Sequence, residues 1–308
     1  MRDKIQFRSD ILQKVRAFFS KRAVLEVDTA LISEYGVTDV AIASVPCADG
    51  AYLITSPEYA MKMLLCRGSG DIYQLGHVFR NEESGRRHKR EFTLLEWYRV
   101  GWNHQQLMQE VADLVQILWP KSQKWAVRQS PYAELFQRFL SLDIRGISDA
   151  ELRLFTIARI PEAGGWTLER DGYLDLLFTH FIEMHLGQEC LEFVVDYPPS
   201  QAALAKIMTR IDEQGRKHDV AARFELYAQG MELCNGFWEL TDAMQQRQRF
   251  EQDNAQRKKL GLSLMPLDEP FLQTLAMGMP ESAGVALGLD RLLMLIKQVD
   301  TIEAVVLT

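Results

Sequence analysis

The chain has 308 residues, 47% of them hydrophobic and 25% charged, with a formal net charge of −7. That suits a globular enzyme of one large or two ordinary domains and disfavours extended nucleic-acid binding, which needs a broad basic surface. The opening MRDKIQFRSD lacks a signal-peptide core, no apolar run is long enough to span a membrane, and Cys47, Cys66, Cys190 and Cys234 show no zinc or disulfide spacing. A reduced cytoplasmic protein without membrane association is expected.

Ser9 is placed to cap a helix to about Arg22, with Ile11, Leu12, Val15, Phe18 and Phe19 on one face. Val24–Thr29 reads as a strand, Val37–Gly50 as a loop and Tyr52–Thr55 as a short strand. Pro57 suits a helix start, since its missing N–H costs nothing there, and Glu58 then falls in the first turn, where an acid complements the helix dipole. Ile72–Arg80 and the segment from Phe92 read as two strands joined by a basic loop carrying Arg86, Arg87, His88, Lys89 and Arg90. Alternation puts Phe92, Leu94, Glu96 and Tyr98 on one face. A carboxylate and a phenol beside an aromatic ring and a cationic loop suit a flat ring, an amine and a polyphosphate together; a surface hairpin with a solvated tip is the plainer alternative.

Asn103 is a cap for a helix reaching Trp119, and Pro120 ends it. Residues 121–170 are the least informative, with one helical stretch at PYAELFQRFL and a turn at Gly164-Gly165. A helix is expected from Gly172 to near Gly187, with His180 and His185 structural, then a strand Leu191–Tyr197 stopped by Pro198-Pro199. Gln229-Gly230 makes a tight turn between two strands, so that Tyr227 faces Glu232 and Leu226 faces Leu233. Glu225 and Glu232 then share a face as diagonal neighbours, roughly 7–8 Å apart at Cα. Two carboxylates so placed call for a cation between them, and hard oxygen ligands suit Mg²⁺; exposed glutamates on a solvated face are the alternative. Thr241 is placed to cap an exposed helix to Lys259, and Asp268 opens a short helix closed by Gly278. In SAGVALGLDRLLMLI a small-residue strand from Ser282 turns at Gly288 into a helix near Asp290, with Arg291 in its first turn, against the dipole preference.

FRNEE…RHKREFTLLEWY resembles motif 2 of the class II aminoacyl-tRNA synthetases, specifically the lysyl branch. The first helix and strand resemble motif 1, which forms much of that family's homodimer interface, although Ala30 replaces its usual proline. G.G.DR resembles motif 3, and Asp196-Tyr197-Pro198 and NGF.EL match the lysyl branch. The three motifs occur in order and the resemblance covers nearly the whole chain. It implies an α+β class II core, a mainly antiparallel mixed sheet flanked by helices, as a single catalytic domain over 1–308 without the N-terminal anticodon-binding OB-fold. A homodimer is implied as well.

The resemblance also implies roles. Arg80 and Arg291 are the candidate catalytic residues, Arg80 holding the α-phosphate and the amino-acid carboxylate. Phe92 and Arg291 sandwich adenine, Glu82 lies on the adenine side and His88 reaches the outer phosphates. Asn81, Lys89, Leu233 and Gly288 complete the ATP set; Lys89 replaces the family's asparagine, so only its backbone role carries over. Glu225 and Glu232 hold Mg²⁺, with Glu232 also in the ATP set. Ser56, Glu58, Glu96, Tyr98, Asn235, Glu239 and Ala286 surround a diamino acid.

The short length, Ser56-Pro57-Glu58 and GVALG, with Ala286 where lysyl synthetases have glycine, together resemble the elongation factor P (R)-β-lysine ligase family, paralogues of lysyl-tRNA synthetase. One methyl reshapes a tight pocket by ~1–3 kcal/mol. That resemblance implies ATP and (R)-β-lysine as substrates, elongation factor P as acceptor, and no stable tRNA binding. The residues themselves do not separate α-lysine from (R)-β-lysine. Two other readings stay open: a stand-alone enzyme charging tRNA or a small acceptor, and a catalytically silent synthetase-like regulatory subunit.

Overall fold

The computed structural model of the chain describes residues 1–81, 85–212 and 215–307. In chain order, α1 (Arg2–Ser20) is followed by β1 (Leu25–Glu26), β2 (Ile32–Ser33), β3 (Val45–Pro46), β4 (Tyr52–Leu53), α2 (Glu58–Cys66), β5 (Ile72–Phe79), β6 (Glu91–Val100) and α3 (His104–Leu118). Then come β7 (Ala126–Pro131), α4 (Tyr132–Leu140), α5 (Asp149–Ile157), α6 (Arg170–Phe181), β8 (Cys190–Tyr197), β9 (Ile207–Ile211) and β10 (Lys217–Ala228). The chain closes with β11 (Met231–Trp238), α7 (Ala243–Lys259), α8 (Glu269–Ala276), β12 (Ser282–Gly288) and α9 (Leu289–Lys297). Its contacts group into two units, Met1–Gln123 with Cys234–Thr308, and Lys124–Leu233. Among the described residues no helix is long and apolar enough to cross a membrane.

The first unit is built on a mixed sheet. β1 runs parallel to β5, β5 is antiparallel to β6, β6 to β12, and β12 to β11 from Cys234 to Trp238. The apolar face of α1 packs here: Ile11, Val15, Phe18 and Phe19 are buried, and the Phe19 ring stacks on Tyr73 with centroids 4.3 Å apart. Asn103 caps α3 in a capping box with Gln106, as its position before the apolar run predicts.

Several boundaries differ from the sequence reading: β3 lies inside the stretch Val37–Gly50 expected to be loop, pairing with β4, and α6 ends at Phe181 instead of near Gly187. α1 begins at Arg2, so Ser9 is inside the helix and not its cap; nothing from Arg2 to Ser20 breaks a helix, and Asp3 complements the dipole of the first turn. β1 has two residues, because beyond Glu26 the amide of Thr29 turns to the Gln74 side chain, 2.9 Å away. The cap of α7 is Asp242, not Thr241: its carboxylate accepts from the amides of Met244 and Gln245 at 2.9 and 3.0 Å, and an anion suits a helix N-terminus better than a hydroxyl one position earlier.

In the second unit β7 is parallel to β8, which is antiparallel to β10, which is antiparallel to β9. Tyr132 and Phe136 of α4, Leu177 and Phe178 of α6, and Val194 and Tyr197 of β8 form its core. α6 stops at Phe181, and a 3-10 turn, Glu183–His185, covers the approach to Gly187. The expected tight turn is present: Gln229 and Gly230 have φ of 50° and 65°, the left-handed pair of a type I′ hairpin.

A buried ion pair fastens the ends of the first unit together. Arg8 of α1 lies 2.6 Å from Asp290 at the start of α9, and both are buried. Asp290 Oδ2 accepts from the amide of Thr93 in β6 at 2.7 Å, and Arg8 Nη2 donates to the Thr93 hydroxyl. One carboxylate thus joins an N-terminal helix, a central strand and a C-terminal helix. Arg8→Met leaves Asp290 buried without its cation; the expected loss is about 3–5 kcal/mol, read as a lower midpoint in urea. An unchanged midpoint would show that Thr93 alone satisfies Asp290.

Candidate active site

The strand register of the first unit lines up in rows several of the residues expected to surround the amino acid. Asn235 of β11 pairs with Ala286 of β12, Ala286 with Glu96 of β6, and Glu96 with Gln74 of β5. The neighbouring row runs Phe237, Gly284, Tyr98, Ile72. Since alternate residues share a face, Gly284, Ala286 and Gly288 make a floor of small residues between Glu96 and Tyr98 on one side and Asn235 and Phe237 on the other. The floor must be small. A Cβ on Gly284 would collide with the Tyr98 ring and with Glu239 Oε1.

Three carboxylates close over this floor. Glu96 Oε2 accepts from Ser56 Oγ at 2.6 Å and its Oε1 from the Tyr98 hydroxyl at 2.7 Å. The Ser56 hydroxyl also accepts from the Glu58 amide at 3.0 Å, tying the start of α2 to β6. Lys62, one turn along α2, donates to Glu58 Oε1 at 2.6 Å. Its Nζ is also 2.7 Å from Glu239 Oε2, an ion pair not aligned as a hydrogen bond. Lys62, Glu96 and Glu239 are 1%, 2% and 1% exposed, so these charges are out of water.

Burial sets their titration. Loss of water pushes Glu96 up to about 7, with the Glu58 charge adding to the shift. Loss of water also pushes Glu239 up to about 8, against the pull of Lys62. Burial by itself disfavours the Lys62 ammonium, yet Glu239 and Glu58 hold its pKa above the usual lysine value. The Tyr98 phenol, desolvated beside Glu96, is raised well above its usual range and stays protonated.

Several of the first unit's residues assigned to nucleotide lie at or near the end of the β5–β6 hairpin. The Arg80 guanidinium lies over the Phe92 ring, 5.2 Å from its centroid, with Nε 3.5 Å from the Thr55 carbonyl. Arg291 donates to His88 Nε2 in a close contact. The bond from the Thr93 amide to Asp290 brings the neighbours of both residues, Phe92 and Arg291, into one region. Gly288 pairs with Leu94, on the same face of β6 as Phe92. Asn81 is exposed, its amide bonded to the Ala43 carbonyl at 2.8 Å, and Lys89 is half-buried. Glu82 lies outside the described residues.

Glu225, Glu232 and Leu233 belong to the second unit. Leu233 is buried in β11. Glu225 Oε2 accepts from the hydroxyls of Tyr197 and Tyr227, each at 2.7 Å, and Oε1 is paired with Arg223. Arg223 also lies 4.4 Å from the Tyr197 ring centre. Its pKa is raised; burial opposes this, and Glu225 and then Tyr197 dominate, with a further contribution from Glu232. The cation that the two carboxylates call for is therefore already supplied in part by Arg223. A carboxylate has about four acceptor directions, and Glu225 uses three; Glu232 is half-buried, and its charge acts on Arg223 and Tyr227. Carboxylate oxygens are the donor type that a hard divalent cation takes, though among the described residues no cluster of three or more acidic, histidine or cysteine side chains could hold a metal ion.

Residues 1–307 match the family model described as tRNA synthetases class II (D, K and N). The chain belongs to that class II synthetase family. Its curated relatives include proteins named elongation factor P–(R)-β-lysine ligase. That of Photorhabdus laumondii is 46% identical over 94% of this chain and 89% of the relative. Those of Edwardsiella ictaluri and Proteus mirabilis are 46% and 44% identical, each over 97% of this chain and 92% of the relative. The α+β fold expected from the sequence is the one found: mixed sheets with flanking helices within a class II synthetase match.

In this class II chain the sequence reading missed Lys62, Arg8, Asp290, Arg223 and Gly284. Lys62 and Arg8 are cations on amphipathic helices, where a solvated position is the ordinary expectation. The spacing of Glu58 and Lys62, four apart with the acid first, was the available signal for the first pair. Nothing in the sequence points from Lys62 to Glu239.

Two outcomes follow from this geometry. Gly284→Ala places a methyl against Tyr98 and Glu239; overpacking of this kind costs ~1–3 kcal/mol, and amino-acid binding measured by calorimetry should be lost before the fold is. If, as the resemblance implies, Glu96 and Glu239 hold the ammonium groups of a diamino acid, they must ionise to do so. Affinity for a diamino acid should therefore rise with pH through the range about 7 to about 8 in which they lose protons, then level off. Affinity that falls over that range would show that the protonated carboxyls are the binding form.

Proposed function

We infer that this protein is an ATP-dependent ligase that activates (R)-β-lysine as an aminoacyl-adenylate and transfers it to a lysine side chain of elongation factor P. The observation that carries this reading is the cage of Glu58, Glu96 and Glu239, the last two buried, with Arg80 reaching the Thr55 carbonyl next to Ser56. The names of relatives 44–46% identical over nearly the full chain agree with it. A cage of that charge takes ammonium groups and leaves the substrate carboxylate to a cation outside it.

In the first step a carboxylate oxygen of the substrate attacks the α-phosphorus of ATP, and pyrophosphate leaves. No side-chain nucleophile is required. Arg80 holds the attacking carboxylate and the α-phosphate together and neutralises charge that grows between them. Phe92 and Arg291 hold the adenine ring, and His88 the outer phosphates; Asn81, Glu82, Lys89, Leu233 and Gly288 complete that set. Glu58, Glu96, Tyr98, Asn235 and Glu239 hold the amines over Ala286, with Ser56 orienting Glu96. Glu225 and Glu232 would hold Mg²⁺, which when bound neutralises phosphate charge. In the second step the acceptor lysine amine attacks the acyl carbon of the adenylate, AMP leaves, and an amide forms. The reading further includes one catalytic domain across the chain, a homodimer, a cytoplasmic setting, and no stable tRNA binding.

Pyrophosphate exchange with (R)-β-lysine and with α-lysine, followed by mass measurement of elongation factor P, tests it. Exchange should require Mg²⁺, weaken with Glu232→Gln at limiting Mg²⁺, and favour (R)-β-lysine; the factor should gain one lysyl mass. Exchange with an unchanged factor but acylated tRNA would transfer the acceptor role to tRNA.

A further inference from the structure

Lys62 has no part in the roles assigned above, yet it is the most deeply buried cation of the site, 1% exposed. It sits between two of the three carboxylates, 2.6 Å from Glu58 and 2.7 Å from Glu239. The third, Glu96, takes its hydrogen bonds from Ser56 and Tyr98, which are neutral. Summed with all groups ionised, three carboxylates and one ammonium leave the cage with two uncompensated negative charges. Buried charge in that amount must be matched by something. A diamino acid carries two ammonium groups.

We propose that Lys62 is a positioning residue that sets the charge of the amino-acid cage. Its ammonium draws Glu58 of α2 and Glu239 beyond β11 together and cancels one of three carboxylates, so that two remaining charges select a ligand with two amines. The inference rests on the reading of the substrate as a diamino acid. It explains why a site for cations contains a buried cation of its own: without one, the cage would demand a third positive charge, supplied from water as a proton on a carboxyl. Protons already stand in for the absent charge, since Glu239 and Glu96 are raised to about 8 and about 7. The groups facing Lys62 and its partners are Glu58 and Cys66 on α2, Ser56 before it, Glu96 and Tyr98 on β6, and Glu239.

Lys62→Met keeps the length and volume of the side chain and removes the charge. In pyrophosphate exchange its KM for the diamino acid should rise at least about tenfold while kcat changes less, the signature of lost ground-state binding. The pH at which affinity levels off should move up by about one unit, because the two freed carboxylates raise one another. In Lys62→Ala, which leaves space, added methylamine should restore part of the loss. Calorimetry on the unmodified protein adds a measurement that does not depend on a variant folding. At pH 7, binding of the diamino acid should release roughly one proton, read from the difference between two buffers of unlike ionisation enthalpy. No proton release, or an unshifted pH profile and KM in Lys62→Met, overturns the role of Lys62. Absence of exchange by the unmodified protein with either lysine isomer overturns the substrate reading itself, and this inference with it.

Discussion

An ammonium held between two carboxylates, with Lys62 and Glu239 out of water, is the constraint around which the carboxylate cage is arranged. Burying Lys62 alone would be prohibitive, and so would burying Glu239 alone. Together they lock the first turns of α2 against the segment that leaves β11, 177 residues on in sequence. Glu96 is held differently, by a serine and a tyrosine that donate without adding charge. The cage is consequently rigid and anionic at once. Its geometry is held by hydrogen bonds, and its charge is left partly uncompensated.

The floor beneath the cage answers to the same requirement. Carboxylates approach one another only if the sheet below offers no side chains, and β12 supplies Gly284, Ala286 and Gly288 on the facing side. Around them β6 contributes the acid and the phenol, and β11 the amide and the ring. A strand poor in side chains between two strands rich in polar ones is a costly arrangement for a core. The stability comes from elsewhere in the unit, from the Phe19–Tyr73–Trp97 cluster and from the Arg8–Asp290 pair. That pair also has a positional effect: it holds the first turn of α9 against β6, and so brings Arg291 and Phe92 into one region.

In the second unit the same physics has a different solution. Glu225 is saturated on one oxygen by two tyrosines and faces an arginine on the other. A charge so placed is oriented as much as it is neutralised.

The sequence by itself determined the elements that carry this chemistry. The hairpin around the basic loop, the type I′ turn at Gln229-Gly230, the capped α3 and the strand-to-helix turn at Gly288 were all legible, because each is set by local periodicity, turn residues or caps. The motif resemblance gave the family and the polar residues from Ser56 to Glu239 that the register then assembled. Tertiary structure alone decided the partners of charge: that Lys62 answers Glu239 as well as Glu58, that Arg8 answers Asp290, that Arg223 stands against Glu225. Those pairs join residues far apart along the chain or set among other charges, and a single sequence carries no mark of which cation enters the interior with which acid. Helix ends moved for a related reason. Ser9 and Thr241 are competent caps, but an uninterrupted helical run at one site and a neighbouring carboxylate at the other were worth more than a hydroxyl. Local pattern fixes the elements; desolvation, which acts only once the chain is folded, chooses the ion pairs.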